Sequence, residues 1–322
     1  MNVEQCIKCG TCEMVCPSQL SALRAIDQDR SHIVLMESVN CTTCNKCVAS
    51  CPRGVEITKA IEKIRNNITT KGYRETLHNI STFNCSIVTD RTPVVVSRPA
   101  KYAYFAGCLT NYRQREIGDA VEATLAMLGI DYTRIREVCC GSPLNRIGRF
   151  DLARETLEKN LKMLRDLGVE TVITSCPGCT STFLEYQDEF EVMHYLDIYD
   201  QLNVHEMLKP EGLRATLQYP CHLYRNVSPY TMVVAERLLE SMFDYTRLPD
   251  ADRCCGAGGG VRRNDLQLSR SLKVKKVADI KAINPDIMAS TCPQCNVQLS
   301  EDVGRVYDIA VLVARNLGLI QA

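Results

Sequence analysis

Along most of this chain, short apolar runs that end at a cysteine alternate with longer stretches whose apolar positions recur every three or four residues, the spacing of one helix face. Lys101 to Ala106 reads as a strand ending at Gly107-Cys108. Glu116 to Leu128 reads as a helix closed by Gly129, and Tyr132 to Ile135 as a strand leading to Cys139-Cys140-Gly141. Leu152 to Leu167 is predicted to be a long amphipathic helix ended by Gly168. Val169 to Thr174 is then a strand leading to Cys176-Pro177-Gly178-Cys179.

The plan is then repeated. Leu213 to Tyr219 is a strand before Pro220-Cys221, Tyr230 to Met242 a helix, and Phe243 to Leu248 a strand leading to Cys254-Cys255-Gly256. Leu266 to Ile283 is a long helix, and Asp286 to Ser290 a strand leading to Cys292-Pro293-Gln294-Cys295. First cysteines lie 113 residues apart (108 to 221), Cys-Cys-Gly pairs 115 (139 to 254) and closing pairs 116 (176 to 292). That constant register is the mark of an internal duplication. Strands alternating with helices predict α/β units with parallel strands, and loops at the carboxyl ends of such strands are where ligands gather.

Upstream the pattern differs. Leu20 to Ile26 and Ile57 to Ile64 have helical spacing between clustered cysteines. Residues 66–100 are polar and broken by Lys71-Gly72, Thr92-Pro93 and Arg98-Pro99, so they read as a connector, with a strand beginning at Val94 to Val96. The expected organisation is a helical unit over 1–65, the connector over 66–100, and two α/β domains over 101–207 and 208–322. The fold class is α+β overall, the two α/β domains being related by a pseudo-twofold duplication.

Charge adds a restriction. The 38 basic and 38 acidic residues balance, which gives no global attraction to nucleic acid. No stretch approaches the ~20 apolar residues that span a bilayer, so a soluble protein with no membrane span of its own is expected. Composition adds the chemistry, because 19 of the 322 residues are cysteine. The N-terminus lacks a signal peptide's apolar segment, and thiols at this density in a long chain point to metal ligation in a reducing, cytoplasmic compartment rather than to a disulfide scaffold.

Cys6, Cys9, Cys12 and Cys16-Pro17 have the spacing C-x2-C-x2-C-x3-C-P, and Cys41, Cys44, Cys47 and Cys51-Pro52 repeat it. This is the bacterial ferredoxin ligand run, in which the fourth cysteine reaches the other cluster. Cys6, Cys9, Cys12 and Cys51 are expected to hold one cubane [4Fe–4S] cluster, and Cys41, Cys44, Cys47 and Cys16 the second. A zinc module uses four ligands and leaves the third evenly spaced cysteine and the prolines unexplained. Gly10 gives backbone amides a close approach to sulfur.

The duplicated modules offer Cys108, Cys139, Cys140, Cys176 and Cys179, then Cys221, Cys254, Cys255, Cys292 and Cys295. Five thiols exceed what one cubane uses, and Gly141 and Gly256 follow where a side chain would crowd a metal. A vicinal disulfide or a thioredoxin-like Cys176–Cys179 pair would leave the other matched cysteines without a role. Cys85 matches no motif and reads as an inert buried thiol.

The succession Cys, Cys-Cys-Gly, Cys-x-x-Cys resembles the CCG domain of heterodisulfide reductases. A ferredoxin unit ahead of two such domains is similar, over essentially the whole chain, to the D-type component of heterodisulfide reductases, equivalent to their C-type and B-type components joined. The architecture recurs in iron–sulfur subunits of glycolate, lactate and glycerol-3-phosphate dehydrogenase systems and of thiol:fumarate reductase. Members outside disulfide reduction often have incomplete motifs; here all ten cysteines are present. The resemblance implies two noncubane [4Fe–4S] clusters on those ten catalytic cysteines. It implies reduction of the coenzyme M–coenzyme B heterodisulfide to two thiols in methanogenesis, with electrons relayed through the two cubanes. The implied partner is an electron-donating protein, a flavoprotein or a b-type membrane cytochrome through which the chain sits on the inner face of the membrane. The alternative is a non-catalytic electron relay for a flavin-dependent dehydrogenase or fumarate reductase.

A disulfide reduced by two electrons takes two protons. His222, beside Cys221, is a candidate donor, or else a hydrogen-bonding neighbour of the cluster. A polyanionic disulfide needs guanidinium forks, and Arg113, Arg115, Arg146, Arg149, Arg225, Arg262 and Arg263 follow the cysteines closely enough to rim such a site. Gly256, Gly258, Gly259 and Gly260 read as a flexible, exposed loop without a nucleotide fingerprint.

Overall fold

A computed structural model describes residues 2–27, 31–89 and 95–321. The first unit is a set of short helices, among them Ala22–Ile26, His32–Val39 and Ile57–Arg65, around a small core that includes Leu20, Ile26, Val34, Val55, Ile57 and Ile61. The ferredoxin runs fold as two copies of one turn, 35 residues apart. Lys8 and Thr43 both have φ of 54°. Gly10 (φ 77°) and Asn45 (φ 59°) precede the helices Thr11–Met14 and Lys46–Ala49, so an asparagine, which tolerates the left-handed region, takes the glycine's place.

The polar connector contains a helix that the sequence pattern does not reveal, Lys71–Phe83, with Thr70 accepting a hydrogen bond from the Tyr73 amide. Its composition hides a buried face, for Tyr73 and Ile80 sit in the core with Val39 and Leu144. Of the strand expected at Val94 to Val96, Val94 lies outside the described residues, as do Thr92 and Pro93, and Val96 makes a lone antiparallel bridge to Arg134.

The two duplicated domains each carry a four-stranded parallel sheet. In the first, β1 (Tyr102–Phe105), β2 (Tyr132–Thr133), β3 (Thr171–Thr174) and β4 (Glu191–His194) lie in the order β2-β1-β3-β4. In the second, β5 (Arg214–Leu217), β6 (Asp244–Tyr245), β7 (Ile287–Ser290) and β8 (Val306–Asp308) lie in the order β6-β5-β7-β8. The fold is mixed α/β with parallel sheets, as expected, and helices Tyr230–Met242 and Leu266–Ile283 have the predicted bounds. The strands are shorter than predicted, and β4 and β8 are additional.

In both sheets the strand order reverses at the central pair, where α/β folds open a crevice at the strands' carboxyl ends. Cys108 and Cys176 follow β1 and β3 at that edge, and Cys221 and Cys292 follow β5 and β7. The domains share one core: Ile117, Val121 and Leu125 of helix Arg115–Met127 belong to the same buried cluster as Ile309, Leu312 and Val313 of helix Ile309–Asn316.

Across that seam the Tyr195 hydroxyl donates to Asp308 Oδ1 at 2.7 Å. Burial raises the Asp308 carboxyl from 3.8 to about 7. The folded chain then keeps a proton that the unfolded chain has already lost, so stability falls as pH rises through that window. Asp308→Asn is expected to flatten the slope of urea midpoint against pH between 3.8 and about 7. An unchanged slope would show that Asp308 is not the group responsible.

Candidate metal centres

The ferredoxin cysteines are brought together in the crossed sets expected of them. Cys6, Cys9, Cys12 and Cys51 line one recess. Cys16, Cys41, Cys44 and Cys47 line a second, with Cys12 on the shared wall. Backbone amides point at sulfur in matched pairs: Lys8 N to Cys6 Sγ at 3.4 Å and Thr43 N to Cys41 Sγ at 3.3 Å, Leu20 N to Cys16 Sγ at 3.5 Å and Val55 N to Cys51 Sγ at 3.4 Å. Such donors stabilise thiolates and tune the cluster they hold. The left-handed Lys8 and Thr43 aim two of them.

Among the described residues no group of three or more Cys, His, Asp or Glu side chains is arranged to clasp a single ion. Four sulfurs spread around a recess fit a cluster of several irons. Burial pushes the Cys47 thiol up to about 12, and also Cys41, where Arg65 pulls the other way. These sulfurs become thiolates only when a cationic core takes the place of their protons. Cys9 is exposed and is held below the ordinary thiol value by hydrogen bonds from Thr11.

In the first CCG-type module, Cys108 opens helix Cys108–Tyr112, and Cys176 caps helix Pro177–Phe183, whose first turn carries Cys179. Gly107 has φ of 79°, and a Cβ there would stand 2.9 Å from Cys179 Sγ, so only glycine lets β1 bring Cys108 beside the closing pair. The second module matches it, with Cys255 Sγ 3.4 Å from Cys295 Sγ. In each module the second cysteine of the adjacent pair is the one held well below the usual thiol value. Cys140 is so held by hydrogen bonds from Cys139 and Cys179, and Cys255 by bonds from Cys254 and Cys295. Cys139 and Cys295 go up in return.

Gly141 and Gly256 have a different role from the one expected. A Cβ on either would strike the next helix, at 2.6 Å from Ala153 O and 2.4 Å from Ser269 O respectively, rather than crowd a metal. Cys85 is buried and its thiol donates to Ile87 O at 2.9 Å, while the adjacent Ser86 Oγ lies 3.1 Å from Cys108 Sγ. The expected loop of Gly256, Gly258, Gly259 and Gly260 is neither exposed nor free. Gly256 and Gly259 are buried, and Gly258 and Gly259 pack on the Cys41-Thr42 backbone so closely that Cβ atoms would lie 2.4 Å from Thr42 O and 2.1 Å from Cys41 O.

The ferredoxin unit and the second CCG-type domain therefore meet at their cysteines. Cys44 of the second ferredoxin set packs directly against Cys221 and Cys254. Helix Cys221–Asn226 fixes that contact: His222 Nε2 donates to Thr43 O at 2.9 Å, Arg225 Nη1 donates to Cys44 O at 2.9 Å, and Asn226 Oδ1 accepts from Asn45 Nδ2 at 2.7 Å. Burial, with Arg146 and Arg225 adding to it, holds the His222 ring down to about 3. The Nε2–H of His222 goes to the Thr43 carbonyl rather than to sulfur, so the side chain ties helix Cys221–Asn226 to the ferredoxin unit.

Most of the expected rim arginines are staples instead. Arg146 pairs with Glu62 at 2.6 Å, and Arg149 donates to Asn66 O at 3.1 Å and Ile68 O at 3.2 Å. Arg262 pairs with Glu301, and Arg263 donates to Ser86 O at 2.6 Å. Arg113 and Arg115 are exposed. A polar cleft does open between the units, walled by Lys59 and Glu62, by Arg146 and Arg154, and by Glu185 and Asn226; no cysteine lines it. Sequence reasoning missed Arg65, which is fully buried. The signal was there, since Arg65 falls four residues after Ile61 and eight after Ile57, on the stripe of helix Ile57–Arg65 that faces the core.

A family profile described as a cysteine-rich (CCG) domain matches residues 102–184 and again 215–300. A second, described as a 4Fe-4S dicluster domain, matches residues 5–55. An uncharacterised iron–sulfur protein of Methanococcus maripaludis is 29% identical over 94% of this chain and 58% of its own length. The D-type component of the dihydromethanophenazine:CoB–CoM heterodisulfide reductase of Methanosarcina acetivorans is 32% identical over 70% of this chain and 61% of its own length. The B-type component of the CoM/CoB fumarate reductase of Methanothermobacter marburgensis is 30% identical over 63% of this chain and 42% of its own. The chain thus spans about three fifths, or less, of the length of these relatives.

Proposed function

This chain belongs to the cysteine-rich CCG domain family, here with a dicluster ferredoxin unit ahead of two CCG domains, and from that premise we propose that it is the iron–sulfur subunit of an oxidoreductase complex that reduces a small-molecule disulfide. The disulfide we assign is the coenzyme M–coenzyme B heterodisulfide, the substrate named for the relatives that carry this architecture. The observation that carries the reading is the pair of complete five-thiol modules, the second of which is joined to the ferredoxin unit at Cys44, Cys221 and Cys254. A chain that only passed electrons onward would not need ten cysteines in two matched sets.

Cys6, Cys9, Cys12 and Cys51, and Cys16, Cys41, Cys44 and Cys47, would hold two cubane clusters, and the ten CCG cysteines two noncubane ones. Bound there, the paired noncubane clusters would each supply one electron, so that the S–S bond receives both and no thiyl radical is released. The residues do the rest. The exposed Cys9, flanked by the exposed Ile7 and Met14, marks the face for an electron-donating partner, a flavoprotein or b-type cytochrome. Helix Cys221–Asn226 keeps the Cys44 junction in register. Cleavage of R–S–S–R′ by two electrons takes two protons and yields two thiols.

Supplied anaerobically with reduced viologen and the heterodisulfide, the iron-loaded chain is expected to release two thiols per two electrons consumed. Intact clusters with no thiol release would leave the second reading, a relay for a flavin-dependent dehydrogenase or fumarate reductase, which the fumarate reductase relative favours.

A further inference from the structure

Arg65 lies at the point where all three units touch, and it is fully buried. Its Nε donates to Ser38 O at 2.9 Å and its Nη2 to Cys41 O at 2.6 Å, both in the ferredoxin unit. Its Nη1 donates to Arg146 O of the first CCG domain at 2.7 Å and to Gly259 O of the second at 3.0 Å. Every partner is a neutral carbonyl. The nearest candidate counter-ion on its own helix, Glu62, is taken by Arg146, and no carboxylate among the described residues forms an ion pair with Arg65.

A buried guanidinium with no counter-ion is costly, because neither water nor an opposite charge stabilises it. The anion that answers it is on the backbone it grips, the thiolate of Cys41 and whatever that thiolate ligates. Reduction of a cluster at that site adds one negative charge. In a dry junction a fixed cation bonded to the Cys41 carbonyl acts on that charge with little screening by solvent or salt. We propose that Arg65 is a positioning residue that sets the reduction potential of the cluster held by Cys16, Cys41, Cys44 and Cys47, and that docking of the two CCG domains fixes it in that position. This rests on the iron–sulfur reading above. Only arginine suits the place, since its planar fork reaches four carbonyls at once while its charge is permanent.

The test is an anaerobic dithionite titration of the full, iron-loaded chain followed by EPR, comparing the unaltered protein with Arg65→Lys and Arg65→Gln. The reaction at each step is one electron from dithionite to one cluster, with no proton taken up. In Arg65→Gln one ferredoxin-type signal is expected to become harder to reduce, its reduced-to-oxidised ratio at a fixed solution potential falling about tenfold, which is 59 mV for a one-electron couple. The other signal stays in place. Arg65→Lys keeps the charge and is expected to leave both potentials unchanged, while amide exchange at Gly259 and Gly260 quickens as the fork is lost. A fully iron-loaded Arg65→Gln chain with unmoved potentials would overturn the proposal, as would an Arg65→Lys chain shifted as far as Arg65→Gln. Should Arg65→Gln fail to retain iron, Arg65→Lys decides alone: unmoved potentials with quickened exchange at Gly259 support the proposal, and a potential lowered by about 59 mV, tenfold for one electron, overturns it. An unaltered chain without iron would instead defeat the iron–sulfur reading.

Discussion

A Cys254→Ser chain is expected to lose the iron of one CCG module, roughly four of about 16 irons, and with it about 100-fold or more of its disulfide-reducing turnover, the upper end of what losing even the groups behind a metal's ligands costs. Cys254 is singled out by its position. It packs against both Cys221 of its own module and Cys44 of the ferredoxin unit, and its thiol lies below the usual value chiefly because Cys221 hydrogen-bonds to it. A serine hydroxyl there stays protonated near neutral pH and is a poor, hard ligand for iron. The contact that joins two metal centres would be cut while both remain folded around their other cysteines. Cys85→Ser is the matched control, since that thiol bonds to Ile87 O and belongs to no set; its iron content and turnover are expected to be unchanged. Iron assay, EPR and thiol release measure all three. Full iron and full turnover in Cys254→Ser would place the junction elsewhere.

The second large effect is on assembly of the units. Gly259→Ala puts a methyl group 2.1 Å from Cys41 O and 2.9 Å from the Thr42 carbonyl carbon, at a backbone φ of 62°. Left-handed strain for a non-glycine residue costs about 1–3 kcal/mol, and forcing apart a packed contact costs about 1–3 kcal/mol more. The obstacle is the backbone of Cys41 and Thr42, so no rotamer can relieve it. Gly168→Ala separates the two contributions, because Gly168 has φ of 68° with nothing within 4 Å of its would-be Cβ. Thermal unfolding is expected to show Gly259→Ala destabilised by about 2–6 kcal/mol, the sum of both effects, and Gly168→Ala by the first alone. Amide exchange should quicken around Cys41 in the former only. Equal behaviour of the two variants would mean that the glycine loop does not press on the ferredoxin unit.

The architecture was readable wherever pattern and punctuation agreed. Helix Tyr230–Met242 carries a clean apolar stripe, and helix Leu266–Ile283 is bounded by Asp265, whose side chain caps it, and by Asn284 in the left-handed region. The crossed ferredoxin sets were expected from the spacing of the bacterial ferredoxin run, whose fourth cysteine serves the other cluster. The edge strands β4 and β8 were not readable, because three or four residues give too little alternation to stand out. Helix Lys71–Phe83 was hidden by polar residues that find partners in other units, as when the Gly72 amide donates to Asn264 Oδ1. The arginines misled for a related reason. Arg146, Arg149 and Arg225 follow cysteines as a substrate-binding rim would, yet they bond to carbonyls and carboxylates on neighbouring units. Spacing records which residues are near a cysteine in sequence and says nothing about what docks onto them.

The shared core of the two CCG domains has a consequence for how the chain is made. Helix Arg115–Met127 buries Ile117, Val121 and Leu125 in a cluster completed by helix Ile309–Asn316. At a ribosomal rate of roughly 5–20 residues per second, the first domain waits about 6–24 s after its own last strand emerges before that covering helix is complete. During this interval the nascent polypeptide exposes the flank of Ile117, Val121 and Leu125 to water, an apolar surface of the kind that invites aggregation until its cover is made.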